Sequence, residues 1–132
     1  MLILGTYRVW KEVPIEFITD EDKAAGKMPA TVRLFLNAMT EPERAAIIGD
    51  IAHLEESDKA EWQRQLLIRF GQKTIKDWMG VGSCDEDGKV HTLPVTQENV
   101  AAFMEKVGLM VLPIINDVNR GLDTSLDEAG NG

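Results

Sequence analysis

A chain of 132 residues with 44% apolar and 27% charged side chains has the composition of an ordinary folded domain, which argues against disorder along its whole length. No apolar run approaches the roughly 20 residues that span a bilayer, and Met1–Leu4 is too short, and lacks the basic start, to be a signal peptide, so a soluble cytoplasmic protein is expected. The formal charge of −8 divides into 0 over residues 1–40, −2 over 41–80 and −6 over 81–132, a balance that disfavours a nucleic-acid surface and allows a basic protein partner.

The first third reads as strands. Tyr7 to Trp10 and Val13 to Ile18 are rich in β-branched and aromatic residues, and Val13, Ile15 and Phe17 alternate with other positions. Pro14 cannot donate to a ladder, which predicts an edge strand. The charged stretch from Thr19 to Pro29 contains Gly26 and reads as a loop. Alternation resumes in Thr31–Asn37 through Val32, Leu34 and Leu36. A small antiparallel sheet of two to four strands follows, with one face in need of a cover.

About four helices supply it. Thr40-Glu41-Pro42-Glu43 sets an N-cap, a proline in the first turn and a capping-box glutamate. Ala46, Ile47, Ile51 and Leu54 then form one stripe at helical spacing. Asp58, with Glu61 three residues on, starts a second helix whose apolar face runs through Trp62, Leu66, Phe70, Ile75, Trp78 and Met79, with Gly71 as a bend or interruption. Asp85-Glu86-Asp87-Gly88 is a turn of hairpin type, and Val90–Val95 is short and extended. Thr96 caps a helix through Val107, with Val100, Phe103, Met104 and Val107 on its apolar face and Gly108 as its stop. A last helix, Leu109–Leu122, is started or kinked at Pro113, with Leu112, Ile115 and Val118 inward. The class is α+β: one domain over residues 1–122, with residues 123–132 a polar, disordered tail.

Little in the chain signals catalysis. Cys84 is the only cysteine, which excludes an internal disulfide, and its acidic neighbours Asp85, Glu86 and Asp87 make a poor setting for a nucleophile. His53 and His91 are the only histidines; with Asp50 they could ligate a metal, yet no ligand spacing marks such a site. Asp85-x-Asp87-Gly88 lacks the later glutamate of a calcium loop, since Lys89 to Pro94 supply none. Gly80-Val81-Gly82 lacks the remainder of a phosphate loop, and no G-x-S-x-G elbow occurs. The expectation is a non-enzymatic protein without metal or cofactor. Trp10, Trp62 and Trp78 are of a type found in both cores and binding hot spots; Trp62 belongs to an apolar stripe and reads as core, whereas Trp78, beside Met79, suits either a core or an interface.

The order of motifs from Ile75 to Val100 resembles the tail assembly chaperones of long-tailed bacteriophages. Trp78, Gly80 and Val81 match a Gly-Trp-x-Gly-Val segment, Asp85 to Gly88 an acidic D-E-D-G turn, and Leu93, Pro94, Thr96, Glu98 and Asn99 a Leu/Val-Pro-Phe-Thr-x-Glu-Asn segment. Asp77 replaces the first glycine and Val95 the aromatic. Thr40–Arg44 is similar to the family's strand-to-helix junction, and the likeness covers roughly residues 31–120. It implies a protein that binds the tape measure protein, assists assembly of the tail tube protein, and can be extended by a translational frameshift near its C-terminus. On this reading Trp78, Met79, Phe103 and Met104 border the partner surface. A homo-oligomer is open. The alternative is a structural tail or head–tail completion subunit retained in the virion; further off is a metal-dependent enzyme using His53, Asp50 and His91.

Overall fold

The computed structural model describes the backbone of residues 8–15, 24 and 30–131, and the side chains of 8–15, 24 and 31–120. Strands β1 (Arg8–Ile15), β2 (Ala30–Asn37) and β3 (Ile75–Met79) form an antiparallel sheet with β2 in the centre. Helices α1 (Glu41–Ile51), α2 (Leu54–Ser57) and α3 (Lys59–Thr74) connect β2 to β3. A separate hairpin of β4 (Gly82–Cys84) and β5 (Val90–Thr92) leads to α4 (Gln97–Asn131). The fold is α+β, with an N-terminal sheet, about four helices and a hairpin near 85–95.

Alternation decides which face of the sheet is covered. Val13, Ile15, Val32, Leu34 and Leu36 turn to one side, where they join Ile75 and Trp78, Leu67, Ile68 and Phe70 of α3, and the inner stripe of α4 in one core cluster. β1 is an outer strand, and its Pro14 stands opposite Thr31. That is where a residue without an N–H is tolerated. Tyr7, Glu16–Ile18 and, apart from Ala24, the expected loop over 19–29 lie outside the described residues.

The segment Ile75–Met79, expected to end a helix, is a strand. Thr74 closes α3, and β3 pairs with β2 through Leu34–Trp78, Phe35–Asp77 and Leu36–Ile75, leaving Lys76 as an extra residue at a bulge. The bulge explains the misleading spacing. An inserted residue lets Ile75 and Trp78, three apart, face the same side, which imitates helical periodicity. Ile75 is 3% and Trp78 5% exposed, with Lys76 and Asp77 outside.

Gly108 does not stop a helix and Pro113 does not start one. Residues 97–131 form a single helix, so the expected end at Leu122 with a tail from Asp123 is replaced by helical backbone through Asn131. Val100, Met104, Val107, Val111, Ile115 and Val118 make one unbroken buried stripe. Burying six such side chains yields roughly 10 kcal/mol or more. A proline and a glycine in the interior cost about 3 and 1 kcal/mol. Pro113 is exposed, while Gly108 is buried where a Cβ would press on Leu67 and Met104. Gly71, expected as a bend in the preceding helix, is likewise within α3 and packs directly on Met104.

The helix caps follow their residues. Thr40 and Glu43 make the reciprocal capping box, with Glu43 N–H donating to Thr40 Oγ1 at 3.3 Å and Thr40 N–H to Glu43 Oε1 at 3.0 Å. Asp58 Oδ1 accepts from Glu61 N–H, and Thr96 Oγ1 from Asn99 N–H. The stripe expected to run to Leu54 breaks after Ile51, where Ala52 N–H turns to Gly49, and Ala46 is exposed because only Ile47 and Ile51 of it face inward on α1. Trp62 is half-buried and outside the main core, contrary to its expected core role, and its buried Nε1 has no hydrogen-bond partner among the described residues.

Candidate protein-binding face

The four residues expected at a partner surface are separated by the fold. Trp78 and Met104 are core side chains, 5% and 0% exposed, and so cannot border a partner in this conformation. Trp78 points inward because the bulge returns it to the buried phase of β3. Its indole N–H donates to Leu93 O at 2.7 Å, and its ring lies 5.4 Å from that of Phe103. Leu93 N–H in turn donates to Val81 O, so the Trp78 strand and the segment before α4 form one clasp. Gly80, at φ +89°, makes the turn out of β3 with Thr31 O close by. Phe103 is half-buried and lines a shallow recess of about 170 Å³ with Val81, Leu93 and Val107.

Met79 alone of the four stands open, 52% exposed, on the side of the sheet turned away from the core cluster, where no other described element packs. There it meets Trp10, whose type suits either a core or a hot spot, and two residues that sequence reading did not single out, Phe35 and Arg33. The Trp10 and Phe35 rings stack at 5.2 Å across the β1–β2 register. Arg33 holds its guanidinium 5.6 Å above the Trp10 ring and brings Nη1 within 3.9 Å of Met79 Sδ. Trp10 and Phe35 are half-buried and do not belong to the core cluster. The signal was present in Thr31–Asn37: if Val32, Leu34 and Leu36 face inward, Phe35 is an aromatic residue on the solvent phase. Tryptophan, arginine and methionine on one surface are the composition of binding hot spots.

The polar candidates do not assemble. Asp50 pairs with Arg69 at 3.6 Å, and His91 Nε2 lies 2.8 Å from Asp85 Oδ2 on the exposed hairpin. Among the described residues no three His, Cys, Asp or Glu side chains converge as a metal site would require, so His53, Asp50 and His91 are not brought together. Asp85 organises its turn by accepting from the N–H groups of Asp87 and Lys89, and Gly88 adopts φ +81°. The His91 hydrogen bond, with these backbone donors, holds its carboxyl below the usual range. Ser83 stands opposite His91 in the ladder, but among the described residues nothing bonds it to the ring. Cys84 is exposed.

Compared with known proteins, the chain matches no family model, no curated protein and no solved structure. No helix among the described residues is long and apolar enough to cross a membrane.

Proposed function

We propose that this chain is a tail assembly chaperone, a cytoplasmic binding protein that holds an apolar stripe of the helical tape measure protein and assists assembly of the tail tube protein around it. The observation that carries the reading is the outer sheet face, open among the described residues, where Trp10, Phe35, Arg33 and Met79 offer aromatic and sulfur contact area outside the core. An amphipathic helix that aggregates alone requires such a surface on a soluble, charged carrier. The motif order from Trp78 to Asn99, which carries the resemblance, supports the same reading; its residues join β3 to the start of α4 through the Trp78–Leu93 and Leu93–Val81 hydrogen bonds.

The role is binding without chemistry. Co-expression with the tape measure protein of the same phage or prophage genome tests it: the two should co-purify, and the tape measure protein should be insoluble without the chain. Mass analysis of purified particles separates the alternative. A chaperone is absent from them, whereas a tail or head–tail completion subunit is present.

A further inference from the structure

We propose that Arg33 is the specificity-determining residue of the open sheet face, receiving a carboxylate from a helical partner whose apolar stripe covers Trp10, Phe35 and Met79; this rests on the protein-binding reading above. Arg33 stands directly opposite Glu12 in the β1–β2 register, yet among the described residues it makes no ion pair. Its guanidinium lies over Trp10 and toward Met79 instead. The other arginines with charged partners are satisfied differently: Arg64 holds Glu61 and Glu105, Arg69 holds Asp50, and Arg120 holds Asp117. Stacking engages the face of a guanidinium and leaves its in-plane fork of donors, the geometry that a carboxylate matches bidentately.

Desolvation makes the carboxylate necessary. An apolar stripe laid over Trp10, Phe35 and Met79 removes water from Arg33 as well, and a buried cation without a partner is strongly disfavoured. A helix that covers the rings therefore binds well only if it delivers an acid at that point. The neighbours sharpen the pattern. Glu12 is opposite Arg33 on β1, and Asp77 is opposite Phe35 on β3. With strands about 4.8 Å apart, the row through Arg33 reads Glu12, Arg33, Met79, and Asp77 stands one row further on beside Phe35. The complement of this face is a glutamate or aspartate with lysine or arginine one turn away, the spacing of i and i+4 on a helix. The net charge of −8 disfavours a uniformly acidic partner.

Tiled peptides of about 30 residues from the tape measure protein, long enough for a helix of several turns, are titrated against the full chain by fluorescence anisotropy. Peptides that bind should carry an apolar stripe with one acid flanked by bases. Arg33→Ala should weaken them about tenfold or more, Arg33→Lys should recover only part of the loss, and Arg33→Glu should be rescued by reversing the peptide's acid to arginine. Thermal unfolding should stay unchanged in Arg33→Ala and Arg33→Lys and fall only slightly in Arg33→Glu, which faces Glu12. Binding by Arg33→Ala within about twofold of the parent overturns the proposal and leaves the chaperone reading standing. No binding by any peptide overturns both. A concentration-dependent dimer in sedimentation that Trp10→Glu breaks puts a second copy on this face and also overturns the proposal.

Discussion

The indole N–H of Trp78 donates to the carbonyl of Leu93 across 2.7 Å, joining the last strand of the sheet to the segment that launches α4. Trp78 is thereby a structural residue, while Met79, next in the chain, faces outward. Trp78→Ala should cost about 3–5 kcal/mol through cavity formation. Trp78→Phe, which keeps most of the ring but orphans the carbonyl, should cost about 1–2 kcal/mol. Urea unfolding measures both, and an unchanged midpoint for Trp78→Ala would remove it from the core.

Met79→Ala should behave oppositely. The side chain is half in water and contributes only a weak sulfur contact to Arg33. Its removal should change stability by less than about 0.5 kcal/mol while weakening partner binding. A loss of stability as large as that of Trp78→Ala would deny the two residues their opposite roles.

Glu43 predicts a pH dependence. A hydrogen bond from Lys73 and the N–H of Thr40 lower its pKa from the ordinary 4.5 to about 2. Because the folded value is the lower one, its stabilisation is present above about pH 4.5 and disappears as pH falls toward 2. The Lys73–Glu43 pair, at 2.6 Å, is partly solvated, so screening reduces the effect to about 1 kcal/mol. Glu43→Gln should show that deficit at pH 7 and converge with the parent near pH 2, as chemical denaturation can measure. A deficit that persists undiminished at pH 2 would assign the effect to capping geometry instead.

Gly71→Ala should destabilise despite the better helix propensity of alanine. A Cβ there overlaps the Met104 side chain, and overpacking costs about 1–3 kcal/mol. Met104→Ala frees that space at the cost of a cavity. In the double-mutant cycle the two changes should therefore couple favourably, by about 1 kcal/mol or more. Additive losses would mean that α3 and α4 do not meet at this point.

The fold was legible where local chemistry and tertiary packing agree. Thr40, Asp58 and Thr96 cap helices, Pro14 lies on an outer strand, and the Asp85–Gly88 turn joins two strands. It was illegible where packing overrode a local signal. The bulge at Lys76 gave a strand the period of a helix, and the continuous stripe from Val100 to Val118 carried α4 past Gly108 and Pro113. The candidate face was only partly legible. Met79 was identified from its type, but pairing Trp10 with Phe35 requires a register that periodicity cannot supply. Trp78 and Met104 were misplaced because type alone does not separate an anchor in the core from one in an interface.

The central claim is that the open sheet face holds a tape measure helix. The most direct measurement compares how much soluble tape measure protein co-purifies with the parent chain, with a Trp10→Ser/Met79→Ser variant and with a Phe103→Ser variant, after each is shown to be folded. The account predicts that the sheet-face variant loses most of the complex, while the Phe103 variant, altered on the helical side, retains it. Full retention by the sheet-face variant, or loss confined to Phe103→Ser, would contradict it.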